Sequence, residues 1–108
     1  MCRFKKLCHT ENGYVVRCNQ CRHIHIAFGT TILAFTRDQY YDFVRTIGEQ
    51  YQLHKNDCCR DQKIIQIPTD ARSIMLAYTP GELEKLFNLL EKANTLMDKE
   101  QFFSFNGN

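Results

Sequence analysis

The chain lacks most of the features by which a sequence declares an activity. Its 108 residues contain no tryptophan, two prolines, five scattered glycines and only two serines, Ser73 and Ser104. Scattered glycines build no loop that could cradle a phosphate, and neither serine sits in a nucleophile-elbow pattern. No apolar run could span a bilayer, and Met1–Cys8 has no apolar stretch resembling a secretion signal. A cytoplasmic protein without membrane contact is therefore expected. An excess of one charge is missing too. Fourteen Lys and Arg stand against twelve Asp and Glu, a net of +2, so no whole-molecule field is available to grip nucleic acid or acidic lipid. The imbalance is local: residues 1–30 carry Arg3, Lys5, Lys6, Arg17 and Arg22 against Glu11, and the remainder is slightly acidic.

A hydrophobic fraction of 44% with 24% charge describes one globular core, and the length fits a single domain. Six cysteines in a reducing compartment are read as thiols or metal ligands rather than as three disulfides.

The first third reads as strands. Phe4–Cys8 is followed by Asn12–Gly13, a hairpin-turn signal, and then by the β-rich Tyr14–Arg17. His23–Phe28 alternates, with Ile24, Ile26 and Phe28 on one face, and Thr30–Phe35 resumes after Gly29. Thr36 with Gln39 makes a capping box, behind which Tyr40, Phe43, Val44, Ile47 and Tyr51 share a helix face that fades near His54. Lys55–Asp61 is a polar loop. Ile64–Ile67 and Ser73–Tyr78 are strands around a turn at Pro68–Asp70, and Thr79-Pro80-Gly81-Glu82 starts a second helix with Leu83, Leu86, Phe87, Leu90, Ala93 and Met97 buried.

At an offset of 43 residues, Leu33-Ala34-Phe35-Thr36 falls on Leu76-Ala77-Tyr78-Thr79, and Gln39 falls on Glu82. The expected fold is thus α+β: a duplicated ββα unit forming one antiparallel sheet with two helices on one face. Residues 1–22 add an N-terminal hairpin and cysteine knuckle, 23–54 and 62–98 are the two units, and 99–108 are an aromatic tail. The sheet's other face would show Ile32, Ala34, Met75 and Ala77, too apolar to remain wet. Its cover would be the N-terminal hairpin, the tail residues Phe102, Phe103 and Phe105, or a second subunit.

Cys18-Asn-Gln-Cys21 has the spacing of a zinc knuckle, since thiolates at i and i+3 of a tight turn can reach one ion. Zinc needs four donors, and a second such pair is missing. The preferred completion takes Cys8 from the first strand and Cys58 from the loop after the first helix, with Cys59, His9 and His23 as alternatives. Cys2 is read as an incidental thiol, Cys8 has a competing reading as a small core residue, and His23 one as a solvated strand residue. Structural zinc would clip the N-terminal hairpin to the core. A redox dithiol at Cys18 and Cys21 is the other chemistry, but such pairs sit at helix starts, and a strand follows here.

Asn12-Gly13-Tyr14-Val15-Val16-x-Cys18-x-x-Cys21, Phe28-Gly29-Thr30-Thr31, Gln62-Lys63-Ile64-Ile65-Gln66-Ile67-Pro68-Thr69 and Gln101-Phe102-Phe103-x-Phe105-Asn106 resemble an uncharacterised family of short Bacteroidota proteins. The resemblance spans nearly the whole chain. It implies a bacterial cytoplasmic protein and brings no activity or ligand with it. From the residues themselves, a non-enzymatic binding or regulatory module, zinc-stapled and meeting a protein partner or its own copy, is the favoured function. A nucleic-acid binder using the basic N-terminal third, with Tyr14 and Phe28 for stacking, is one alternative. A thiol redox protein using Cys18 and Cys21 is another. No catalytic set supports an enzyme.

Overall fold

Period-two alternation sets the strands, and the computed structural model describes the backbone of residues 3–106 and the side chains of residues 3–98. β1 (Phe4–Thr10), β2 (Gly13–Cys18), β3 (Ile24–Phe28) and β4 (Thr31–Phe35) form an antiparallel sheet in chain order. β5 (Ile65–Pro68) and β6 (Met75–Tyr78) form a separate two-stranded sheet. Helix α1 (Arg37–His54) follows β4, and α2 (Pro80–Asn106) follows β6. The protein is therefore α+β, with two sheets where one was expected. β2 takes the open edge of β3, from Gly13↔Phe28 to Arg17↔Ile24, so the N-terminal hairpin extends the sheet and does not cover its face, while β5–β6 does not pair with the remaining edge at β4.

The first turn falls on Glu11 and Asn12, one residue earlier than Asn12–Gly13, and Gly13 opens β2 opposite Thr10. Glycine is required there by contact: a Cβ would stand 1.9 Å from the carbonyl oxygen of Ala27 on β3. Gly29, at φ 60, turns β3 into β4. In β1 the register slips between Lys6 and Cys8, and the residue at the slip, Leu7, is buried.

Both helices begin as read. The Gln39 N–H donates to Thr36 Oγ1 at 3.3 Å, and the Thr36 N–H donates to Gln39 Oε1 at 3.0 Å. At the second start the Glu82 N–H donates to Thr79 Oγ1 at 3.0 Å, and the Thr79 N–H donates to Glu82 Oε1 at 2.9 Å. Each reciprocal pair satisfies donors that a helix start would leave unpaired.

The helices lie together on one face of the four-stranded sheet, α2 across β1 and β2 and α1 against β4. Leu7, Val15, Ile24 and Ile26 on that face, Ile65, Ile67, Leu76 and Tyr78 of the smaller sheet, and Leu83, Leu86 and Leu90 of α2 share one core. Tyr51 and Phe87 stack at 4.2 Å between the helices, and the Tyr40 hydroxyl donates to Asn94 Oδ1 at 2.7 Å. Phe28 meets Tyr78 edge-on at 5.9 Å, joining the two sheets. Residues 99–106, expected as a separate tail, continue the backbone of α2 to Asn106 because nothing in that run breaks a helix. The side chains of Phe102, Phe103 and Phe105 lie outside the described residues. Among the described residues no helix is long and apolar enough to cross a membrane.

Candidate functional site

The β2–β3 turn is built around its cysteines. Extrapolating the ladder beyond Arg17↔Ile24 opposes Cys18 to His23. The Cys18 N–H donates to the His23 carbonyl at 2.9 Å, while the Arg22 N–H donates to the Cys18 carbonyl at 3.0 Å. Two residues thus face one, and the first of them, Arg22, has φ 66. This is the bulged hairpin turn in which glycine normally supplies the left-handed residue. The Cys21 N–H points at Cys18 Sγ, 3.4 Å away. Cys18 is completely buried although Asn19, Gln20 and Cys21 around it are exposed. The chain before β1 is tied to the same turn: the Asn19 N–H donates to the Arg3 carbonyl, and the Arg3 N–H to Gln20 Oε1, both at 2.7 Å.

The other sequence candidates are placed elsewhere. A hairpin turning at Glu11–Asn12 pairs residues near the turn with each other, so Cys8 faces Val15 and His9 faces Tyr14, while Phe4 faces Cys18. Cys58 and Cys59 lie exposed beyond α1, their sulfurs 3.9 Å apart. That helix starts at the cysteine-turn end of the sheet and carries the chain about 27 Å along its axis before reaching them. The loop is tied locally by His54 Nδ1 and Asp57 Oδ2 at 2.7 Å and by an Arg60–Glu84 ion pair. Cys8, Cys18, Cys21 and Cys58 are accordingly not brought to one point. Among the described residues no three His, Cys, Asp or Glu side chains are placed to hold one ion. Cys2 lies outside the described residues.

A second feature is the sheet face turned away from the helices. By register it carries Phe4, Val16, His25, Ala27, Ile32 and Ala34. Phe4 is 48% exposed and Ile32 62%, and the Phe4 ring lies 4.9 Å from that of His25. Met75, at 53% exposed, belongs to the other sheet, so Ile32 and Met75 do not share the single face that one sheet would have given them. The edges of the larger sheet differ. β1 carries Lys5, Lys6 and the bulge, whereas β4, Thr-Ile-Leu-Ala-Phe, has no charge, proline or bulge and among the described residues is laddered only to β3.

The separation of the sheets also opens a cleft of about 200 Å³ between β4, the start of α1 and the β5–β6 turn. Leu33, Phe35, Phe43 and Leu76 are its apolar lining; Asp42, Thr46, Thr69 and Asp70 are among its polar groups, and Gln39 Nε2 donates to Asp70 Oδ2 at 3.4 Å. No sequence signal marks it, because it exists only through the unpaired edges of two sheets. The titrations that depart from ordinary lie in the core and at the second helix start. Burial pushes the Tyr78 hydroxyl up to about 12, with the Glu82 charge adding to it, and burial raises Tyr40 as well. Both phenols are neutral through the physiological range. For Glu82, partial burial pushes the carboxyl up, but hydrogen bonds from Lys63 Nζ and from the Thr79 N–H outweigh it and hold the group below its ordinary value.

The model of a family of unknown function, DUF6686, matches residues 1–106. No curated protein and no solved structure matches the chain.

Proposed function

The chain belongs to that family of unknown function, so its role is read from its own surfaces, and we propose that it is a small non-enzymatic binding module. Its working surface is the β4 edge together with the outer face of the four-stranded sheet, and the occupant is a second copy of the chain. The observation that carries this is the contrast between the two edges. Sheet edges left open are normally blunted by lysine, proline or a bulge. β1 has the lysines and the bulge; β4 has none of these and carries Ile32 outward at 62% exposure. Antiparallel pairing of β4 with its symmetry mate closes both edges at once and lays the two Ile32 side chains in one apolar patch.

Zinc held at Cys18 and Cys21 staples the β2–β3 turn in a reducing, cytoplasmic setting. Support comes from the buried Cys18, the Cys21 N–H directed at its sulfur, and the left-handed Arg22 that closes the turn. Bound there, the ion would contribute folding free energy rather than chemistry. We also read β3–β4–α1 and β5–β6–α2 as copies of one ββα unit. Ile24↔Phe35 and Ile26↔Leu33 in the first hairpin correspond to Ile65↔Tyr78 and Ile67↔Leu76 in the second, and a capping box follows each.

Sedimentation equilibrium tests the working surface. The wild-type chain is expected to be a dimer at micromolar concentration, and Ile32→Lys a monomer with an unchanged circular-dichroism spectrum. A wild-type monomer would overturn the second-copy reading.

A further inference from the structure

We propose that the β1–β3 part of the outer sheet face binds single-stranded nucleic acid, stacking bases on Phe4 and His25 and holding phosphates with Arg3, Lys6 and Arg22. This platform belongs to one copy of the chain and leaves Ile32 and the β4 edge to the second copy, so it does not depend on that reading. None of the four strands contains an aspartate or a glutamate, whereas β1 and β2 contribute Lys5, Lys6 and Arg17. The ladder sets Lys6 against Val16 and Val16 against His25, which puts Lys6 on the outer face two residues from Phe4. Arg3 is pinned to the cysteine turn by its backbone bonds to Asn19 and Gln20, and Arg22 closes that same turn; both are exposed. Glu11, the one acid among residues 1–30, sits in the β1–β2 turn, about 20 Å along β1 from Phe4. The local excess of positive charge in the sequence is thus gathered at one end of one sheet face.

β1 and β3 are two strand spacings apart, about 9–10 Å, yet the ring centroids of Phe4 and His25 approach to 4.9 Å. The Phe4 ring is therefore laid across β2, and it remains 48% exposed there. An aromatic ring held open on a sheet face among cations is what unpaired bases stack on while their backbone follows the charge. A duplex cannot use such a ring, because its bases are already stacked on one another. Tyr14, set against Ala27, continues the same face toward the β1–β2 turn and is half-buried. Phe28, the other stacking residue expected from the sequence, is turned to the core, where it meets Tyr78 at 5.9 Å. Phe4 takes its place.

Fluorescence anisotropy tests this, with the full chain titrated into a labelled, mixed-sequence single-stranded RNA of about 12 nucleotides. Binding is expected. With three phosphates neutralised, the logarithm of the association constant should fall against the logarithm of salt with a slope of about −2, a loss of about 20-fold between 50 and 200 mM. Phe4→Ala should weaken binding about tenfold, and Phe4→Tyr should keep most of the wild-type affinity. The Lys6→Glu/Arg22→Glu double variant should weaken it more and flatten the salt dependence, whereas Arg72→Glu, an exposed cation on the β5–β6 turn, should bind as wild type does. Circular dichroism of every variant should match wild type, since each replaced side chain is exposed. No binding at low salt overturns the proposal. Equal affinity for a duplex of the same sequence also overturns it, and so does wild-type affinity in Phe4→Ala, because either result leaves charge alone with no stacked base.

Discussion

The hairpin β3–β4 lies inside a four-stranded sheet, whereas β5–β6, with the same pairing of inward residues and the same cap behind it, stands as two strands. Strand alternation, turn and helix start are local, and they recur wherever the residues recur. What lies beside a hairpin is not local. β3 acquires β2 because the Glu11–Asn12 turn and the cysteine turn fold the N-terminal segment alongside it, with Gly13 permitting the close approach to Ala27. Among the described residues β5–β6 has no such neighbour, and it is held by helix packing and by Phe28 against Tyr78.

The comparison can be broken most forcefully in the core that both regions share. Leu86 is completely buried, and Leu86→Ala should cost about 3 kcal/mol. Denaturant unfolding followed by circular dichroism and tyrosine fluorescence should shift as one transition. Two transitions would show that the regions fold independently. Gly13→Ala separates them. Its Cβ meets backbone, not a mobile side chain, and should cost about 2–3 kcal/mol by displacing β2 from β3. Hydrogen exchange should then report lost protection across β1–β4 while β5–β6 keeps most of its own.

The strand runs, both caps and the buried helix faces were legible because each depends on residues within a few positions of one another. Tyr40, Phe43 and Ile47 and Leu83, Leu86 and Leu90 are buried as their spacing requires. Leu7 was not, since its burial depends on a register slip. The split into two sheets was hidden for the same reason: alternation tells which way a side chain points and leaves the neighbouring strand unspecified. The cysteine site was half legible. The spacing of Cys18 and Cys21 marks the turn, but which residue opposes Cys18 follows from hairpin register, which sets Phe4 there and Cys8 three residues away along β2.

Smaller effects sharpen the likeness between the units. Thr36→Ala and Thr79→Ala should each cost about 1 kcal/mol in thermal or denaturant unfolding, since each removes one half of an intact capping box. A large inequality would mean that the two caps do unequal work. Their partners differ in one respect: Gln39 does not titrate and Glu82 does. The Glu82 carboxyl lies below its ordinary 4.5 in the folded protein, so the unfolded chain takes up its proton first as pH falls. Its contribution is complete above about pH 4.5 and is lost as pH drops through the folded value. Glu82→Gln should flatten the acid limb of the stability profile by a small amount, and an unchanged limb would remove Glu82 from the acid response.

The two edges of the larger sheet permit the most direct test of the proposed binding surface. Amide exchange should be followed in dilute and in concentrated protein. Protection of Ile32–Phe35 in β4 should rise with concentration while that of β1 stays constant. Exchange in β4 that is the same at every concentration would contradict the claim that this edge is where a second copy binds.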